Sequence, residues 1–104
     1  MEKYWIDISE PAEADLRDIV LYIASQFSAP MTALNMMDLI EQTLLKLSNM
    51  PQAHPLVRDE RLASMGYRRI EIKNYTAFFT INESDKVVDI ERILYARRDW
   101  ARNL

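Results

Sequence analysis

The hydrophobic period of this chain changes near Gly66, and that change limits the folds open to it. Before Gly66, apolar residues recur every three or four positions; after it, they alternate. Ala12, Leu16, Ile19, Val20, Ile23 and Phe27 form one helical stripe. Leu34, Met37, Ile40, Leu44 and Leu47 form a second. Tyr67 to Ile72 alternates, Lys73-Asn74 turns, and Tyr75 to Ile81 is a dense β-branched and aromatic run. Asn82 to Asp85 reads as another hairpin loop, and Lys86 to about Tyr95 as the closing strand. Past Arg92 the alternation loses its phase, which predicts a bulge or a strand end there.

Local signals fix the joints. Tyr4 to Ile8 reads as a short first strand. Ser9 suits an N-cap, Pro11 the first turn, and Glu10, Glu13 and Asp15 the positive end of a helix. Ser28-Ala29-Pro30 separates the helices by too little chain for anything but an antiparallel pair. Met50 to Pro55 ends the second helix and opens a connection reaching about Met65. Ala96 to Leu104 reads as a polar tail or a last helical turn. The predicted class is α+β, in the order β-α-α-β-β-β. A helix hairpin packs on one face of a four-stranded, largely antiparallel sheet, and the other face is left open with arginines in its strands. Residues 1–104 are expected to form a single domain.

Composition removes several function classes. There is no cysteine, which excludes disulfides, thiolate metal sites and a cysteine nucleophile. One glycine cannot build the multi-glycine loops that cradle nucleotide phosphates. No apolar run reaches the ~20 residues of a membrane span. The opening Met-Glu-Lys-Tyr-Trp lacks the pattern of a secretory signal, so a cytoplasmic location without membrane contact is expected. Charge is uneven. The first 54 residues hold 3 Lys and Arg against 8 Asp and Glu, and the remainder hold 10 against 8. Eight arginines crowd the second half: Arg58, Arg61, Arg68, Arg69, Arg92, Arg97, Arg98 and Arg102. Forked guanidinium groups suit phosphates and carboxylates, and they equally form ordinary surface ion pairs.

Two stretches resemble a known family. Gly66-Tyr67-Arg68-Arg69-Ile70-Glu71-Ile72-Lys73-Asn74-Tyr75 is similar to the "YRR-I-x-V-x-x-Y" hairpin of the RelE/ParE toxins of bacterial type II toxin–antitoxin systems. Arg92-Ile93-Leu94-Tyr95-Ala96-Arg97-Arg98-Asp99-Trp100 is similar to their closing "R-[IV]-L-H-x-R-R-D-W". The resemblance implies a microbial ribonuclease-like fold, no metal or organic cofactor, and a cognate antitoxin as partner. It implies one of two targets: translation, stopped by ribosome-dependent mRNA cleavage, is the expected one, and DNA gyrase is the alternative. RelE-like members are mRNA interferases that cleave mRNA in the ribosomal A site. ParE-like members poison DNA gyrase. A non-toxic binding module of the same fold is the remaining alternative.

For the endoribonuclease, the resemblance assigns Arg69 and Arg97 to the phosphate and its transition-state charge, and Tyr95 to proton donation or base stacking. Arg68, Arg92, Arg98 and Lys73 are then RNA- or partner-binding candidates. Each has an ordinary structural reading as well: Arg69 in a cross-strand ion pair, Tyr95 packed at the sheet edge, Trp100 anchoring the tail. Glu71 is a candidate base or a solvent-facing strand residue, and His54 reads as a loop residue. The chain departs from the catalytic pattern at three places. Thr76 stands where RNA-cleaving members often carry arginine, Tyr95 where many carry histidine, and Glu71 near a position where some carry lysine or arginine. Threonine supplies no charge, and a tyrosine with an ordinary pKa of about 10 is a poor base near neutrality.

Overall fold

The computed structural model describes residues 3–96 and 104. The first strand, β1 (Trp5–Ile8), ends at Ser9, which caps α1 (Glu10–Gln26). The Ser9 side-chain oxygen accepts from the Ala12 N–H at 3.2 Å, and its hydroxyl donates to the Glu91 carbonyl at 3.0 Å. One side chain thus starts the helix and ties it to the last strand. Helix α2 (Pro30–Leu45) opens on its proline, where a missing N–H costs nothing. Two 3₁₀ turns follow, Lys46–Ser48 and Pro51–Ala53, with Met50 between them at φ 48°.

The sheet holds β1, β2 (Arg68–Ile72), β3 (Tyr75–Asn82) and β4 (Val87–Tyr95) in the order β1-β4-β3-β2. β1 runs parallel to β4, and the other pairs are antiparallel. The helix hairpin supplies the long connection that a parallel pair requires. Ile19 and Ile23 of α1 and Ala33, Ile40 and Leu44 of α2 bury against Ile72, Ala77, Phe79, Val88, Ile90 and Ile93. The expected bulge is present. β3–β4 pairing passes from Phe79↔Ile90 to Phe78↔Arg92, so Glu91 has no partner across the ladder.

Three expectations change. Phe27 and Leu34, placed in the apolar stripes, are 66 % and 52 % exposed, while Ala33 is buried. A small side chain lets the second helix approach the core closely, so the stripe runs through Ala33, one residue before the Leu34 that size had suggested. The connection to Met65 contains a further helix, α3 (Glu60–Ser64), capped by the Asp59 carboxylate on the Leu62 N–H at 2.9 Å. A single turn carries no apolar period, so sequence pattern cannot reveal it. Gly66 then ends it at φ +88°, a conformation that favours glycine. Because of α3, the second sheet face is not open. Val57 and Leu62 cover Phe78 and Leu94 in a second small core, and Leu104 packs against it.

Candidate functional site

Arg69 lies on β2 opposite Phe78, on the face covered in part by α3. Its guanidinium is ion-paired with Glu71, two residues on along the same face. Asp89 and Glu91 on β4 do not pair with it: Asp89 stands beside Asp7, and Glu91 accepts from the Thr80 hydroxyl at 2.9 Å. Arg58, Arg69, Glu71, Thr76, Phe78 and Ala96 line a shallow cavity of about 240 Å³. The connector brings Arg58 there, and no spacing in the sequence signals it. Thr76 is 7 % exposed, so the position that resembles a catalytic arginine holds a largely buried, uncharged residue in the cavity wall. Two guanidinium groups beside one carboxylate can hold an anionic group. Glu71 already neutralises part of that charge.

Arg68 points the other way. It donates to the carbonyls of His54 at 2.6 Å and Gln52 at 3.2 Å, and so fastens the connector to the sheet edge. His54 packs edge-on against Phe79, with ring centroids 6.2 Å apart, as expected of a loop residue. Arg92 is tied to α1. Its Nε and Nη2 donate to the two Asp15 oxygens at 2.7 and 2.8 Å. That pairing raises the Arg92 pKa, burial opposes it, and the Asp15 charge adds to the rise. Lys73 occupies the two-residue turn between β2 and β3 at φ 54°, with its amine exposed.

Tyr95 ends β4 opposite Tyr75, on the helix-hairpin face. The two rings meet edge to face at 5.8 Å. With Tyr22, Asp15 and Asp18 they line a cleft of about 280 Å³. Burial raises the Tyr75 phenol pKa, and the neighbouring Tyr22 and Tyr95 raise it further. Arg69 and Tyr95 therefore sit on opposite faces of the sheet. Arg97 and Arg98, with Asp99 and Trp100, lie outside the described residues.

The face that carries Arg69 changes sign across its width. At the β1–β4 side, Asp7 and Asp89 are register partners, with Glu91 further along β4. Burial raises the Asp89 pKa, and the charges of Asp7 and Asp85 raise it further. Among the described residues no cluster of His, Asp and Glu could hold a metal ion. No helix among them is long and apolar enough to cross a membrane.

Comparison with known proteins places this architecture. The family described as "ParE toxin of type II toxin-antitoxin system, parDE" matches residues 6–100. No curated protein sequence matches. Among solved structures, the chromosomal ParDE system of P. aeruginosa is similar at 20 % identity and a TM-score of 0.72, over 91 % of this chain and 98 % of that one. The RelBE2 toxin–antitoxin complex of Mycobacterium tuberculosis is similar at 19 % identity and 0.63, over 91 % and 93 %. A doubly substituted E. coli RelE toxin in the free state is similar at 14 % identity and 0.66, over 97 % and 92 %. At these identities the structural likeness speaks for the fold, and the family match spans nearly the whole chain. The chain belongs to the ParE toxin family of type II toxin–antitoxin systems.

Proposed function

We propose that this toxin acts in the cytoplasm by binding DNA gyrase, and that a cognate antitoxin holds it inactive. The observation that carries this reading is the separation of Arg69 and Tyr95 onto opposite sheet faces. RNA cleavage without metal needs its proton-transfer group and its cation on the same phosphodiester. A poison that works by binding needs a surface and no such convergence. The buried Thr76, the Arg69–Glu71 pair and the commitment of Arg92 to Asp15 point the same way. The antitoxin follows from the family and from the similar ParDE and RelBE complexes.

One observation favours ribosome-dependent mRNA cleavage instead: Arg58 and Arg69 share one cavity and could hold a phosphate there. A single induction experiment separates the two. Under the gyrase reading, expression raises a DNA-damage reporter and traps gyrase–DNA cleavage complexes, while primer extension finds a reporter mRNA intact. Codon-aligned cuts in that mRNA without a damage response would discard the gyrase reading.

A further inference from the structure

Four aromatic rings gather where the end of α1 meets the end of the sheet. Tyr22 and Phe27 meet edge to face with centroids 6.0 Å apart, and Tyr75 and Tyr95 do so at 5.8 Å. Both pairs line a cavity of about 450 Å³. That cavity shares Tyr22, Tyr75 and Tyr95 with the cleft beside Asp15 and Asp18, so the two form one elongated trough. Tyr22, Phe27 and Tyr95 stay exposed in it. Exposed rings gathered in a concave site mark a binding surface rather than scattered surface residues.

The trough is aromatic in the middle and polar at both ends. At one end stand Asp15 and Asp18, on the same face of α1 as Tyr22. Asp15 is engaged by Arg92 and by the Ile93 N–H. No ion pair among the described residues engages Asp18. Arg17, its neighbour in sequence, lines a separate apolar groove with Val20 and Leu21. At the other end, beside Phe27, stand Thr32 and Asn74, whose hydroxyl and side-chain carbonyl both accept hydrogen bonds. Lys73 does not line this end. From Asp18 to Phe27 the helix advances about 13 Å along its axis. An unpaired carboxylate, open ring faces and neutral acceptors all favour positive charge.

We propose that this trough binds a linear aliphatic diamine with both amines protonated. One ammonium pairs with the Asp18 carboxylate. The hydrocarbon stem crosses Tyr22, Tyr75 and Tyr95. The second ammonium rests against the Phe27 ring and donates to Asn74 and Thr32. A lysine side chain of a partner protein carries one cation and leaves one end unfilled. The inference is independent of which target the toxin acts on.

The test uses the full chain and four probes at fixed ionic strength: hexamethylenediamine, hexylamine, hexanediol and a lysine blocked at both ends. Shifts of the tyrosine ring resonances report the place of binding, and their titration gives the affinity. The diamine is expected to bind about fivefold or more tighter than hexylamine or blocked lysine, and the diol weakest of all. Asp18→Asn is expected to weaken the diamine about fivefold. Tyr22→Leu keeps the bulk, removes the ring and is expected to weaken it too, while Tyr22→Phe restores it. Both positions are exposed, so these variants fold. Equal binding of the diol overturns the proposal, because the trough is then merely apolar. Equal or tighter binding of blocked lysine overturns it and assigns the trough to a protein side chain. Undiminished binding by Asp18→Asn, or no shift of the tyrosine rings with the diamine, overturns it as well.

Discussion

Asp15 and Arg92 join the first helix to the last strand across 77 residues of chain. The carboxylate does more than pair with the guanidinium, because its Oδ2 also accepts the Ile93 N–H at 2.9 Å. β1 stops pairing at Ile90, so β4 would otherwise run on with an unpaired edge. Asp15 closes that edge with a side chain. Its side chain is 11 % exposed and that of Arg92 24 %, so little water replaces the pair if it is broken.

Asp15→Ala is therefore expected to destabilise the fold by about 3 kcal/mol, because it removes two bonds from a half-buried guanidinium and the acceptor of the Ile93 N–H. Asp15→Asn keeps an acceptor for Ile93 and should cost less. Chemical denaturation of both variants measures the order, and a double-mutant cycle with Arg92→Ala isolates the pair. A coupling energy near zero would show that Arg92 is not held by Asp15 in solution.

The two neighbouring arginines should respond differently to truncation. Arg68→Ala removes two bonds to connector carbonyls and is expected to cost about 1–3 kcal/mol. Arg69→Ala removes a pair with an exposed glutamate and should cost about 1 kcal/mol or less. Thermal melts check this directly. Arg69→Ala is thus the cleaner probe of toxicity, since a loss there cannot be assigned to unfolding. If Arg69→Ala melts earlier than Arg68→Ala, the assignment of Arg68 to the connector is wrong.

Asp89 gives a pH signature with a definite sign. Its folded pKa is raised, so the folded state binds the proton more tightly than the unfolded chain. That contribution favours folding at acid pH and is lost as pH rises through the folded value. Asp89→Asn is therefore expected to raise Tm slightly at neutral pH, with the gain shrinking below the ordinary carboxylate range. Melting curves from pH 3 to pH 8 test it, and a gain that grows toward acid contradicts the sign.

The second small core should matter as much as its burial suggests. Phe78 is 1 % exposed, and Phe78→Ala is expected to cost about 3–5 kcal/mol. Leu62→Ala should weaken the same cluster and free the connector. Hydrogen exchange at Val57 and Tyr67, whose backbones bond at 3.0 Å, reports that release. Unchanged exchange there would mean that α3 does not hold the connector.

Much of this fold can be read from periodicity. The helix hairpin, the antiparallel meander and an irregularity near Arg92 all follow from where the apolar residues recur, though the bulge falls one residue earlier, at Glu91. The helix α3 escapes because one turn has no period, and the depth of Ala33 because size misleads about contact. The candidate site is less legible. Arg68 and Arg69 are adjacent in sequence, but one braces the connector and the other pairs with Glu71, and only tertiary placement separates them. Asp15 carries no motif, and nothing in its spacing points to Arg92. Side-chain type states what a residue can bind, and the fold decides what is within reach.

The unpaired Glu91 has a consequence for how the sheet assembles. On one side of it Val88 and Ile90 face the main core, and on the other side Ile93 does, so β4 is written in two phases. No straight ladder satisfies both. A β3–β4 hairpin that slips by one residue would bury one half correctly and turn the other half inside out. The irregularity thus works as a keyway, favouring a single setting of the hairpin.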